Sequence, residues 1–94
     1  RQSMFHGASS FNIDISKWDV SSVTNMNGMF MRAGSFNQDI SSWDVSKVTN
    51  MDNMFAQASE FNQNLKKWNV IINEPSNFSL NTKLVEGNLP KWGK

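Results

Sequence analysis

Ninety-four residues make one domain at most, and a chain of this length buries only a modest core. A formal net charge of +1 with no block of like charge gives no field to steer a polyanion, and no apolar run approaches the length of a membrane span. Nucleic-acid binding and membrane insertion are therefore not expected. The absence of cysteine excludes disulfides, thiol catalysis and the usual structural zinc sites. The chain opens on Arg1 with no signal peptide, so it reads as a fragment of a longer, anchored protein.

Taken in chain order, the sequence spells one unit repeatedly at a constant interval. Met4, Met29 and Met54 set that interval, and Phe5, Phe30 and Phe55 keep it, as do Ala8, Ala33 and Ala58. Phe11, Phe36 and Phe61 follow, then Asn12, Asn37 and Asn62, then Trp18, Trp43 and Trp68, then Val20, Val45 and Val70. Units span 1–28, 29–53 and, partially, 54–70. A unit this short is too small to hold a core of its own and must stack on a neighbour, which is the logic of a repeat array. Met26, Met29, Phe30, Ala33 and Phe36 fall at i, i+3, i+4, i+7 and i+10, and Met51 to Phe61 copy that spacing, which predicts short helices over 26–34 and 51–59. A third is expected near 2–8. Trp43, Val45 and Val48 predict a very short strand or extended segment. The predicted fold is thus α/β: a right-handed, leucine-rich-repeat-like solenoid of about three 25-residue coils, each a short helix plus a short strand or extended edge.

Residues 71–94 break the pattern at Ile71-Ile72-Asn73-Glu74-Pro75, yet NLKKW at 64–68 returns as NLPKW at 88–92, one position short of the interval. On that alignment Phe78 replaces Met54, Thr82 replaces Ala58 and Val85 replaces Phe61. A degraded last turn with polar replacements and two prolines suits an end that must face water, so 71–94 is expected to be a C-terminal cap. The N-terminal edge has no such segment and offers a route to self-association.

The unit MFxxAxSFNxDISxWDVSxVTNM, present at 4–26 and 29–51 and partly at 54–70, resembles the bacterial surface protein repeat, which is related to the BspA-type leucine-rich repeats. The ending NFSLNTKLVEGNLPKW is similar to that family's terminal segment. The resemblance implies a leucine-rich-repeat-like fold and display at a bacterial cell surface or outside the cell, within lipoprotein-like or wall-attached proteins. It also implies adhesion or protein binding, with host extracellular-matrix or surface proteins among the partners. This chain departs in a unit one position shorter than the family's and in lacking the lipid-attachment cysteine.

No constellation carries chemistry. His6 is the single histidine, and abundant serines give it no distinguishing partner, so neither a catalytic set nor a cofactor is expected. The Asp14, Asp39, Asn64 and Asp19, Asp44, Asn69 columns admit two readings. One is a carboxylate grip on calcium, but they are few for its 6–8 oxygen ligands. The other, favoured here, is a series of Asx turns that bond local amides. The Asn12 and Trp18 columns are read as scaffold. Partner-facing candidates are then the positions that fail to repeat: His6, Met31 and Ala56; Gly7, Arg32 and Gln57; Ile13, Gln38 and Gln63; Lys17, Ser42 and Lys67; Ser22 and Lys47. The expected function is a non-enzymatic binding or adhesion module, the alternative a structural spacer or stalk with no ligand of its own.

Overall fold

The structure is a computed structural model that describes residues 5–92. Each repeat unit folds as a chain of β-turns rather than as a helix and a strand. Amide-to-carbonyl bonds of the i to i−3 kind close turns at Ile15–Trp18, Val20–Val23, Met26–Met29, Gly28–Met31, Phe30–Ala33 and Ala33–Phe36, and the Ile40–Trp43, Val45–Val48, Met51–Met54 and Phe55–Ala58 turns repeat them. Among the described residues the one helix is a 3₁₀ turn at Glu86–Asn88, and the one β-bridge is an isolated parallel pair, Asn25 with Asn50.

The expected right-handed, leucine-rich-repeat-like α/β solenoid is therefore wrong: with no sheet and a single 3₁₀ turn among the described residues, the molecule is a compact globule. The helices predicted over 26–34 and 51–59 are turns, and no strand forms at Trp43 to Val48. Of the helix expected near 2–8, residues 5–7 are a turn and the earlier ones lie outside the described residues. The cause is the division of labour among amides. Along 26–33 they alternate: Met26, Gly28, Phe30 and Arg32 donate to the Asn50, Asp52, Met54 and Ala56 carbonyls of the next unit, while Met29, Met31 and Ala33 close local turns. A helix would keep every one of these bonds internal. Left-handed backbone at Gly28 (φ 63°) and Arg32 (φ 63°) breaks any right-handed helix and re-aims the alternate amides outward. The next unit does the same at Asn53 (φ 60°) and Gln57 (φ 62°), and the cap does so at Asn77 and Asn81.

Apolar side chains fill the space inside these stacked loops. Phe5, Phe30 and Phe55 stack with centroids 5.4 Å apart at each step, and Phe11, Phe36 and Phe61 with centroids 5.7 Å apart. Within a layer the two columns touch face to face, at 4.2 Å for Phe30 with Phe36. Ile15, Ile40 and Leu65, the Val20, Val45 and Val70 set, and the methionines at 26, 29, 51 and 54 complete one core, with no buried polar side chain among the described residues. Its extents are 32 × 26 × 19 Å with a radius of gyration of 11.7 Å, a globule rather than a rod and close to the roughly 12 Å expected for its length.

Residues 71–92 close the last layer. The Asn53, Phe55 and Gln57 amides donate to the Ser76, Phe78 and Leu80 carbonyls, a separation one shorter than between the earlier layers. Phe78 does take the place of Met54, but it meets Phe55 edge-on (85°, 5.2 Å) and Trp92 meets Phe78 edge-on (77°, 4.9 Å). An edge-on ring offers its rim instead of another flat face, so the parallel stacking stops there. Val85, aligned with buried Phe61, lies exposed, so that correspondence fails.

The turn geometry makes a prediction opposite in sign to the helical one. In a helix Gly28→Ala would stabilise by about 1 kcal/mol. At φ 63° it should destabilise by about 1–2 kcal/mol, whereas Gly28→Asn, which copies Asn53, should be nearly neutral. Thermal unfolding followed by circular dichroism checks this, and a higher melting temperature for Gly28→Ala would restore the helix.

Candidate partner-binding surface

The turns that build each layer also decide which side chains are left over. Asp14, Asp39 and Asn64 each accept a bond from the amide two residues on, at 2.9, 3.0 and 2.9 Å. Asp19 and Asp44 do the same at 3.0 and 3.1 Å and hold the Ser21 and Ser46 hydroxyls at 2.6 Å. These are the Asx turns expected of the two columns, save at Asn69, whose side chain accepts no such bond among the described residues. Donation from the Ser16 and Ser41 amides and then hydroxyls holds the Asp14 and Asp39 carboxyls below the usual range, helped by Lys17 at Asp14 and Lys67 at Asp39. For Asp19 and Asp44 the hydroxyls of Ser21 and Ser46 are the larger cause, then their amides. Among the described residues no three His, Asp or Glu side chains converge as a metal site would require.

The Asn columns tie the layers together. Asn12 Oδ1 accepts the Asn37 amide and Asn37 Oδ1 accepts the Asn62 amide, each at 2.9 Å. Trp43 Nε1 donates to the Ile15 carbonyl (3.1 Å) and Trp68 Nε1 to the Ile40 carbonyl (2.9 Å), so the tryptophans are core and brace at once.

The non-repeating positions divide into three groups. The side chains of Lys17, Ser22, Lys47 and Lys67 are exposed and make no hydrogen bond to another layer among the described residues, and Ser42 joins them with one long bond to the Ser16 carbonyl (3.4 Å). His6 and Ile13 are also exposed. A second group is occupied. Gln38 Nε2 donates to the carbonyl and Oδ1 of Asn12 at 3.1 and 2.9 Å, and Gln63 Nε2 repeats this on Asn37 at 3.2 and 2.8 Å. Arg32 Nε donates to Gln57 Oε1 at 3.1 Å, and both residues, like Gly7 (φ 76°), vary at a position whose requirement is left-handed backbone. The third group is less accessible: Met31 is half-buried, and Ala56 is 1% exposed and so is not partner-facing. One position on, the Gln57 amide bonds the Leu80 carbonyl. The left-handed column was legible: Gly28 against Asn53 is the substitution such backbone invites.

The layered unit runs through the whole described chain, and so does its family likeness. Residues 1–92 match the family described as "Mycoplasma protein of unknown function, DUF285". The chain belongs to that family. No curated protein and no solved structure matches it. In this DUF285 chain no described helix is long and apolar enough to cross a membrane.

Because the four aspartate values are lowered in the folded state, their contribution is complete above the ordinary carboxylate value of 3.8 and is lost as pH falls through the lowered folded values. Melting temperature should therefore drop below about pH 4. Replacing all four by Asn, which keeps the turn bond as Asn64 does, should flatten that acid limb. An unchanged limb in the quadruple variant would contradict this assignment.

Proposed function

We propose that this chain is a non-enzymatic binding module, displayed at a bacterial cell surface as part of a longer anchored protein, whose partner is a protein and whose contact residues lie at the edge formed by 13–22 and its repeats. The supporting observation is the fate of the non-repeating positions. Lys17, Ser42 and Lys67, flanked by Ser22 and Lys47, vary between layers, are exposed, and carry almost none of the hydrogen bonding that holds layer to layer. Asp14, Asp39, Asp19 and Asp44 alternate with these lysines along the same edge, giving a mixed-sign surface suited to charge-matched protein contacts. Kinship to the BspA-type repeats belongs to this proposal and rests on the unit's spelling; the surface location and the host-matrix partner class rest on it too.

Pull-down with extracellular-matrix proteins separates this from a spacer or stalk. Changing Lys17, Ser42, Lys47 and Lys67 together to Ala should abolish capture of a bound matrix protein while leaving the melting temperature within about 1–2 °C, since exposed side chains outside the bonding scheme contribute little. Equal capture by this variant would remove the 13–22 edge from the account. Absence of capture by the original chain across the panel would favour the spacer.

A further inference from the structure

The last layer departs from the others at two of the positions that tie layer to layer. With NLPKW at 88–92 aligned on NLKKW at 64–68, Gly87 stands where Gln63 stands and Trp92 where Trp68 stands. Gln38 and Gln63 each reach back to an Asn of the layer before, and Gly87 has no side chain to do so. A Cβ placed at Gly87 would meet nothing within 4 Å, so no neighbour has taken up the space. Trp43 and Trp68 donate Nε1 to the Ile15 and Ile40 carbonyls, which makes the Leu65 carbonyl the matching acceptor for Trp92. That bond is not made: Trp92 Nε1 is buried without a partner.

Gly87 and Trp92 line one open cleft of about 310 Å³. Leu89, Pro90 and the Trp92 ring are its apolar part. Lys66, Glu74, Glu86 and Lys91 complete the lining. All four charged residues are exposed, and none forms an ion pair among the described residues. Elsewhere on the cap Lys83 and Glu60 do pair, at 2.9 Å. The cleft thus holds two cations and two anions unpaired around an aromatic and aliphatic floor. A ligand of one sign is repelled by half of them, whereas a ligand that carries both signs gains from all four. Small-molecule sites enclose most of their ligand; a cleft this small and open does not, which favours a segment of a longer chain as its occupant.

We infer that this cleft docks an extended peptide segment of a protein partner, bearing one basic and one acidic side chain beside a small apolar residue. The inference rests on the reading of this chain as a protein-binding module and adds a second contact surface to it, at the cap. Glu74 and Glu86 take the basic side chain, and Lys66 and Lys91 take the acidic one. Trp92 supplies the floor. Its Nε1 has no hydrogen bond to lose, so the ring turns toward a peptide carbonyl without breaking one, and binding makes the bond that the free protein lacks.

The test is titration of the full chain, labelled with nitrogen-15, with capped hexapeptides that hold one Lys and one Glu among alanines at varied separation. The expected result is saturable shifts at the Gly87 and Leu89 amides, with the Trp92 indole proton moving downfield as it gains an acceptor. Lys66→Ala together with Lys91→Ala should weaken binding about tenfold. Gly87→Gln, which puts a side chain into the cleft, should weaken it as well, and both variants should keep the original melting temperature. The combined Ala variant at Lys17, Ser42, Lys47 and Lys67 should bind the peptides as the original chain does, so failure of that edge and failure of the cleft are read apart. No saturable shift with any mixed-charge peptide, or equal shifts with peptides holding two Lys or two Glu, would overturn the inference. So would a Trp92 indole that does not move, or undiminished binding by either cleft variant.

Discussion

Every layer of this molecule depends on sending alternate backbone amides out of its own segment. A chain that bonds only within itself, as a helix does, is satisfied alone; one that exports Met26, Gly28, Phe30 and Arg32 amides to the next unit is satisfied only in company. That constraint requires left-handed backbone at Gly28 and Arg32, since right-handed turns throughout would aim the amides inward. It sets adjacent layers close enough that the phenylalanine columns stack at 5.4 and 5.7 Å. It also makes termination a structural problem, because the last layer must offer its donors to something. Here that is the Ser76 to Leu80 segment.

The same economy explains why so much of the polar side-chain complement is already in use. Aspartates at 14, 19, 39 and 44 stabilise their own turns, asparagines at 12 and 37 receive the next layer, and Gln38 and Gln63 clamp backward onto those asparagines. With no buried polar side chain in its described core, so short a chain places its polar specificity at the rim of each layer. Among the exposed side chains outside that bonding are Lys17, Ser22, Lys47 and Lys67 along one edge. The exposed ion pair between Lys83 and Glu60, 2.9 Å apart, ties the cap to the third unit but at its exposure contributes little.

The repeat interval and much of the membership of the core were legible in the sequence, because side-chain repetition reports shared pockets directly. Phe36, Trp43, Val45, Met51, Met54 and Phe55 are buried as their recurrence suggests. The secondary structure was not legible from apolar spacing. Met26, Met29, Phe30 and Ala33 have helical spacing because consecutive i to i−3 turns also return the chain to one side every three or four residues. The glycine and asparagine at 28 and 53 carried the missing information, marking left-handed backbone inside the supposed helix. The partner-facing set was legible only in part. Variation between units coincides with exposure at Lys17, Ser22 and Lys47, fails to at buried Ala56, and hides the structural work of Gln38 and Gln63.

Scalar couplings across hydrogen bonds address the alternating amides directly. In a uniformly labelled sample, the Phe30 amide nitrogen should couple to the carbonyl carbon of Met54, and the Arg32 nitrogen to that of Ala56, while the Ala33 nitrogen couples to Phe30. Couplings from Phe30 to Met26 and from Phe55 to Met51, four residues back as in a helix, would contradict the layered account at its root.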